Sequence, residues 1–424
     1  MDENLMISKG ECSAGDKGIP LAPGEALART LAQVTPVAQS EPIELAIANG
    51  RVLAEAPLAS TSVPPFDNSA MDGYAINTDD LDGIGPWTLP VIGTLAAGGF
   101  ARPVHRGRSA LRIFTGAALP SGFDAVVMQE RCERKGDDVT IFERPRSGRN
   151  IRRAGEDVCK GQVLLGAGDV LTPERLTLLA GAGIAQVQAF RRLKVAIVCT
   201  GSELRSVGEQ LEPGLIYNSN GILVNSTLRS RAWIDVTDLG VVRDDRQMLT
   251  DVLCKASMDC DVVITTGGVS AGDEDHVAIA VRECGGFLDV MKVAMRPGKP
   301  VKIGRLGGAL FAGLPGNPNA ALTCLRYMVL PALRKMAAIS DFETKWCPAV
   351  AATAYPNKPD RTEFVPFRTV SRDSGGLPRV EFLGNGSSAN LSAIAMAEGI
   401  ARLPSGAGTT EPDARLEVCY FASD

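Results

Sequence analysis

Between Leu193 and Met336 the sequence alternates between short apolar runs and longer segments with helical spacing, and this alternation constrains the fold more than any other feature. The runs Lys194–Cys199, Val236–Val242, Asp261–Thr266 and Ala309–Ala312 are apolar almost throughout, as strands buried on both faces are. Gly221–Arg231, Arg246–Ala256, Asp275–Glu283 and Asn319–Met336 carry apolar residues at helical intervals. Strands of this kind alternating with helices predict a doubly wound parallel sheet, the core of an α/β domain.

The flanking sequence has a different character. Residues 24–34 have helical spacing, and a short helix is predicted over Ile43–Ala48, stopping at Gly50. From Pro57 to Arg146 short apolar runs are broken by Gly and Pro, which predicts a small β domain with strands near Tyr74–Ile76, Leu89–Thr94, Leu111–Phe114, Ala125–Met128 and Val139–Phe142. Residues 150–190 read as helical again. Thr172-Pro173-Glu174 is a helix start, with Thr as N-cap and Pro in the first turn, and Gly181 and Gly183 end that helix. The last ~75 residues return to short strands, Val350–Ala354, Thr362–Val370, Arg379–Phe382, Gly399–Leu403 and Arg415–Phe421, as expected of a β barrel or sandwich. The expected parts are an extension over 1–20, a split helical domain at 21–56 and 147–190, an inserted β domain at 57–146, the α/β domain at 191–340 and a C-terminal β barrel at 341–424.

Ligands of an open α/β sheet bind beyond the C-terminal ends of its strands. Those ends carry Thr200-Gly201-Ser202-Glu203, Arg243-Asp244-Asp245, Gly267-Gly268-Val269-Ser270 leading to Asp273 and Asp275, and Leu314-Pro315-Gly316-Asn317-Pro318. Glycines let backbone N–H groups approach a phosphate, and a following helix N-terminus favours an anion. Carboxylates on the same rim make sense if Mg²⁺ sits between them and phosphate oxygens, so Glu203, Asp244 and Asp275 are candidate metal ligands. Asp245 and Asp273 read better as helix caps. Lys292, Arg296 and Lys299 fall within eight positions of one another around a stiff Arg-Pro-Gly-Lys-Pro turn, which suggests an anion pocket. Lys302 and Arg305 follow, and Arg305 reads as part of a solvated loop. The segment Val63–Ala75 is dense in turn formers and reads as a functional loop. Ile151–Asp157 reads as a salt-bridged surface turn.

Composition closes off several classes. Apolar residues make up 45% and charged residues 22%, ordinary for a folded protein. A net charge of −5 speaks against a nucleic-acid binder. No apolar run approaches the roughly 18 residues of a membrane span, and the N-terminus lacks a secretory h-region, so a cytoplasmic protein is expected. The ten cysteines form no CxxC pair and are expected as buried free thiols. Two histidines far apart in the sequence argue against a Cys/His zinc site.

Taken together, Pro65–Ala75, Phe114–Ala117, Val126–Glu130, Arg152–Asp157, Thr200–Leu204, Thr266–Ser270, Arg296–Pro300 and Leu314–Pro318 resemble, in order, the motifs of the MoeA-type molybdopterin molybdenumtransferases. This family of molybdenum cofactor synthesis is related to the E domain of gephyrin. The resemblance implies four structural parts and a homodimer whose active site lies between the α/β domain of one subunit and the first two domains of the other. It implies insertion of molybdate at the dithiolene of adenylylated molybdopterin, with release of AMP assisted by Mg²⁺. By motif match, Asp67, Thr115, Asp157, Glu203, Asp244 and Asp275 fall on catalytic positions. Substrate contacts are implied for Gly267, Gly268, Ser270, Lys292, Arg296, Lys299, Pro315, Gly316, Asn317, Pro318, Arg361, Ser387 and Ser388. Arg296 stands where Lys is frequent in the family, Asn218 where Asp is common, and His276 reads as a helix-start residue. Implied partners include molybdopterin adenylyltransferase and downstream cofactor-handling proteins, with no nucleic acid and no membrane. The alternatives are molybdopterin adenylyltransferase itself, set against the split helical and inserted β domains, and a non-catalytic carrier or scaffold, set against the retained carboxylates and cations.

Overall fold

The computed structural model describes residues 20–99, 105, 107–268, 275–384, 389–406 and 408–423. The chain divides into two compact units, one made by residues up to Gln39 together with those from Phe190 onward, the other by Ser40–Ala189.

In the second unit, six strands form one sheet in the order Ala125–Met128, Gly73–Ile76, Ala110–Ile113, Trp87–Leu95, Asp138–Ile141, Cys132–Lys135. Tyr74, Ile76, Leu89, Val127 and Ile141 make its core, and the Trp87 indole donates to the Asp82 carbonyl at 2.8 Å. Among the described residues of 150–189 the α-helix is confined to Pro173–Gly181, where the Thr172 hydroxyl accepts the Arg175 N–H at 3.4 Å. Gly183 then takes φ +80° and turns the chain into the next strand, so these glycines end a helix rather than cradle a phosphate. The helix expected over Ile43–Ala48 is instead a strand, Ser40–Glu44, and a single 3-10 turn, Leu45–Ile47. Pro42 biases its predecessor to extended backbone and supplies no N–H for a helix.

In the first unit, the main sheet runs Ile234–Val242, Leu193–Thr200, Val262–Thr266, Ala309–Leu314, Pro300–Leu306, Phe287–Lys292. The first four strands are parallel, as the apolar runs predict, and Pro300–Leu306 runs antiparallel to both of its neighbours. Arg305, read as part of a solvated loop, lies instead in the strand Pro300–Leu306. Val301 and Ile303 alternate with Lys302 across the sheet, a period-two pattern that the cations obscure. Arg246–Asp259 and His276–Glu283 cover one face, packing Leu249, Leu253, Val277 and Val281 on Val198, Val263 and Phe311. Cys254 and Cys284 join these two helices in a disulfide, which corrects the expectation of free thiols at both positions. Free cysteines such as Cys199 and Cys324 are buried as expected, whereas Cys159 and Cys347 are exposed. Ser219–Arg229 and the helical stretch from Pro318 to Met336, with a π turn over Leu325–Val329, also pack on the sheet and on each other.

The C-terminal strands close on themselves. Thr362–Arg372, Pro378–Phe382, Cys347–Ala351, Arg415–Tyr420 and Gly399–Leu403 follow in that order, and the last pairs back with the first. Val365, Phe367, Val380, Ala401 and Val418 fill this five-stranded barrel. Met295–Arg296 pairs in parallel with Thr362–Glu363, which brings the basic turn against the barrel.

Candidate active site

The parallel strand Val262–Thr266 ends in backbone that leaves no room for side chains. Gly267 has φ +85°, and a Cβ there would lie 2.2 Å from the Thr200 carbonyl oxygen. Gly268 has φ +62°, and its Cβ would come within 2.6 Å of Val277. Gly316 lies beside this turn, where a Cβ would make an ordinary contact 3.8 Å from the Gly267 Cα. The glycines at 267 and 268 are thus demanded by left-handed backbone and close approach together.

Around this turn the polar groups are organised by the protein itself. Asp244 joins two strand ends, its Oδ1 accepting the Thr200 hydroxyl at 2.6 Å and its Oδ2 the Ser202 N–H at 3.2 Å. Asp245 caps the next helix by accepting the Met248 N–H at 2.8 Å. The exposed Glu203 folds over Gly201, where a Cβ would lie 2.7 Å from its carboxylate. Asp275 caps His276–Glu283 by accepting the Ala278 N–H at 3.0 Å, and its other oxygen meets the buried ammonium of Lys302. Burial pushes the Lys302 ammonium down to about 8. Asn220, which sequence reading left out, donates to the Gly316 carbonyl at 2.7 Å, and its buried Oδ1 meets no partner among the described residues. Among the described residues no three His, Cys, Asp or Glu side chains converge to hold a metal ion.

The Leu314–Pro318 loop has a second side. Pro315, Asn317 and Asn319 line a cleft of about 290 Å³ with Arg296, Tyr355 and Glu363. Arg296 lies 3.5 Å from the buried Glu363 carboxylate, which also accepts the Lys358 N–H at 2.8 Å. Burial raises the Tyr355 hydroxyl above its ordinary range, Glu363 adding to the effect and Arg296 opposing it. Pro318 starts the following helix. Lys292 and Lys299 flank the turn that carries Arg296, and the Val293 N–H donates to the Lys299 carbonyl at 3.0 Å to close it. Arg361 is turned to its neighbour Asp360. Ser270, Asp273, Ser387 and Ser388 lie outside the described residues.

Asp67, Thr115 and Asp157 belong to the other unit. Strand Asn68–Ser69 pairs with Ile151–Arg152, and the Leu119 N–H donates to the Asp67 carbonyl at 2.8 Å, so the three segments form one assembly. Asp67 accepts the Ala154 N–H at 2.8 Å and Arg153 at 2.6 Å. These bonds, the backbone one first, hold its carboxyl below the usual range. The 151–157 turn is thus tied to the 63–75 loop as well as internally, where Arg153 N–H donates to Glu156 at 2.8 Å. Asp72 accepts both the N–H and the hydroxyl of Thr115, each at 2.8 Å, and is likewise lowered by them. Asp157 is exposed, its N–H donating to the Val63 carbonyl at 3.1 Å.

Glycine turns, carboxylates and cations thus share the end of the sheet at which ligands of open α/β folds bind. Residues 21–183 match the MoeA N-terminal region (domain I and II), 196–335 the "probable molybdopterin binding domain", and 348–419 the MoeA C-terminal region (domain IV). A molybdopterin molybdenumtransferase of Haemophilus influenzae is 42% identical over 313 residues, 74% of this chain and 76% of the relative. One from Staphylococcus aureus is 32% identical over 376 residues, 88% and 89% of the two chains. The crystal structure of a molybdopterin biosynthesis MoeA protein from Pyrococcus horikoshii superposes with a TM-score of 0.79 at 28% identity, covering 95% of this chain and 100% of that one. No described helix is long and apolar enough to cross a membrane. The chain belongs to the molybdopterin molybdenumtransferase family.

Proposed function

We propose that this chain inserts molybdate into the dithiolene of adenylylated molybdopterin and releases AMP, working in the cytoplasm as a homodimer. The observation that carries this reading is the convergence of Gly267, Gly316 and Asn220 at the ends of the parallel strands, with the basic turn beside the cleft lined by the same loop. The backbone of Gly267–Gly268 takes the substrate's phosphate side, where only glycine lets the main chain come close. Water attacks the phosphoanhydride phosphorus as the bridging P–O bond breaks, leaving AMP and the molybdopterin phosphate, and Lys292, Arg296 and Lys299 neutralise the charge that develops there and on molybdate oxygens. Pro315 and Pro318 keep the loop stiff, Gly316 and Asn317 offer N–H and amide donors, and Arg361 with Ser387, Ser388 and Ser270 completes the anion contacts.

Mg²⁺ belongs to the reading as an ion brought in with the phosphates. Asp244 and Asp275 have both oxygens engaged by protein donors, so the exposed Glu203 is the carboxylate open to it, with Asp244 beside the strand end. When bound, the ion screens the phosphate charge. Asp67, Thr115 and Asp157 reach the substrate from the second subunit. Molybdopterin adenylyltransferase supplies the substrate, and cofactor-handling proteins take the product.

The test is AMP release from purified adenylylated molybdopterin with Mg²⁺, with and without molybdate. Molybdate-dependent release is expected. Tight binding with no release would turn the reading toward a carrier or scaffold.

A further inference from the structure

One buried cation at the rim stands outside the reading above. Lys302 pairs in register with Gly313 on one neighbouring strand and Val290 on the other, and its side chain is only 4% exposed. It shares a sheet face with Leu306, which packs in the core built on His276–Glu283. Its ammonium meets Oδ2 of Asp275, itself 10% exposed, while Oδ1 of Asp275 caps that helix through Ala278. Burying either charge alone is strongly unfavourable, and a buried pair stands only while both partners remain. Each oxygen of this carboxylate thus already meets a protein donor. A divalent cation there would add a second positive charge beside the buried ammonium.

We propose that Lys302 is a positioning residue that occupies the place of a cation at Asp275. The two act as one neutral unit that fixes the start of His276–Glu283, and Asp275 neither ligates Mg²⁺ nor carries a proton in the reaction. The consequence for the site is mechanical. Gly268 packs on Val277 so tightly that a Cβ would come within 2.6 Å of it, so a shift of the helix start moves the glycine turn. Only the activity arm of the test rests on the molybdenum-transfer reading.

The experiment compares the full chain with Lys302→Met, Asp275→Asn and the double substitution. Each single change leaves one charge buried and is expected to lower the melting temperature by about 6 °C or more. The double change removes both charges and keeps an amide acceptor for Ala278, and it is expected to melt closer to wild type than either single one. Effects that simply add would overturn the pairing. In the AMP-release assay, Asp275→Asn is expected to lower kcat by about a hundredfold through misplacement of the turn, with the double substitution regaining most of it. A double variant as inactive as Asp275→Asn would show that the Asp275 charge acts on a metal or a proton, and the proposal would fall. If wild type releases no AMP, the transferase reading fails by itself, and the melting temperatures still decide whether Lys302 and Asp275 act as a pair.

Discussion

Replacing Gly267 by Ala tests whether the strand ends are built as close as they look. Two costs add. The residue sits at φ +85°, where an L side chain costs about 1–2 kcal/mol. The new Cβ would also stand 2.2 Å from the Thr200 carbonyl oxygen, against the 3.0 Å below which real Cβ atoms are essentially never found. That oxygen belongs to a strand locked in register, Cys199 opposite Thr266, so relief comes from displacing backbone rather than a flexible side chain. The bonds at stake are the Thr200 hydroxyl to Asp244 at 2.6 Å and the Gly267 N–H to the Leu314 carbonyl at 3.1 Å. At about 1 kcal/mol each, they bring the expected loss to about 3–4 kcal/mol. Gly240 supplies the control. It lies in the same sheet at φ +73° with nothing within 4 Å of its Cβ position, so Gly240→Ala measures the backbone cost alone. Urea unfolding of both variants beside wild type gives the two losses. The reasoning is refuted if Gly267→Ala is no more destabilising than Gly240→Ala.

Three further outcomes follow from features away from the glycine turn. The Cys254–Cys284 disulfide spans 30 residues, for which loop closure gives about 3–4 kcal/mol, so Cys284→Ser should lower the urea midpoint; an unchanged midpoint contradicts a bond in the folded protein. Burial pushes the Asp261 carboxyl up, but two Arg191 hydrogen bonds at 2.7 Å and the Lys194 N–H at 2.9 Å outweigh it and leave it lowered. Its stabilisation is therefore present above the unfolded value of about 3.9 and lost as pH falls through the lower folded value, so Arg191→Met should destabilise at neutral pH and converge with wild type in acid; a constant gap down the pH scale would contradict this. Burial pushes the Cys324 thiol up to about 12, so alkylation at mildly alkaline pH should mark the exposed Cys159 and Cys347 and spare Cys324, and equal rates by peptide mass mapping would count against the packing around it.

The parts of this fold legible in the sequence are those in which a residue's own neighbours along the chain decide its state. Lys194–Cys199 and Asp261–Thr266 read as strands because strands buried on both faces need unbroken apolar runs, and after the first residue of each run every one is buried. Thr172-Pro173 read as a helix start because the cap is local. The glycine turns were legible for a similar reason, since a strand end that must approach another backbone admits little else. Illegible were the pairings made across the chain. Cys254 and Cys284 meet because two helices pack side by side, Asp67 finds Arg153 across 86 positions, and Asp72 holds Thr115 across 43. The Pro300–Leu306 strand was hidden by its own cations, since Lys302 faces the core where the period-two rule expects an apolar residue.

The same blindness shaped the chemistry. From sequence, carboxylates on an anion-binding rim call for a counter-charge, and a bound Mg²⁺ is the economical supplier. In the folded chain much of that demand is met from within. The Thr200 hydroxyl and Ser202 N–H serve Asp244, Ala278 and Lys302 serve Asp275, and Ala154 and Arg153 serve Asp67. A carboxylate satisfied in this way is held still, and stillness is what a site gains when it must present fixed dipoles to charge that develops during reaction. Glu203, exposed and folded over Gly201, differs from the other three, and on the proposed reading it is the carboxylate left for an incoming cation.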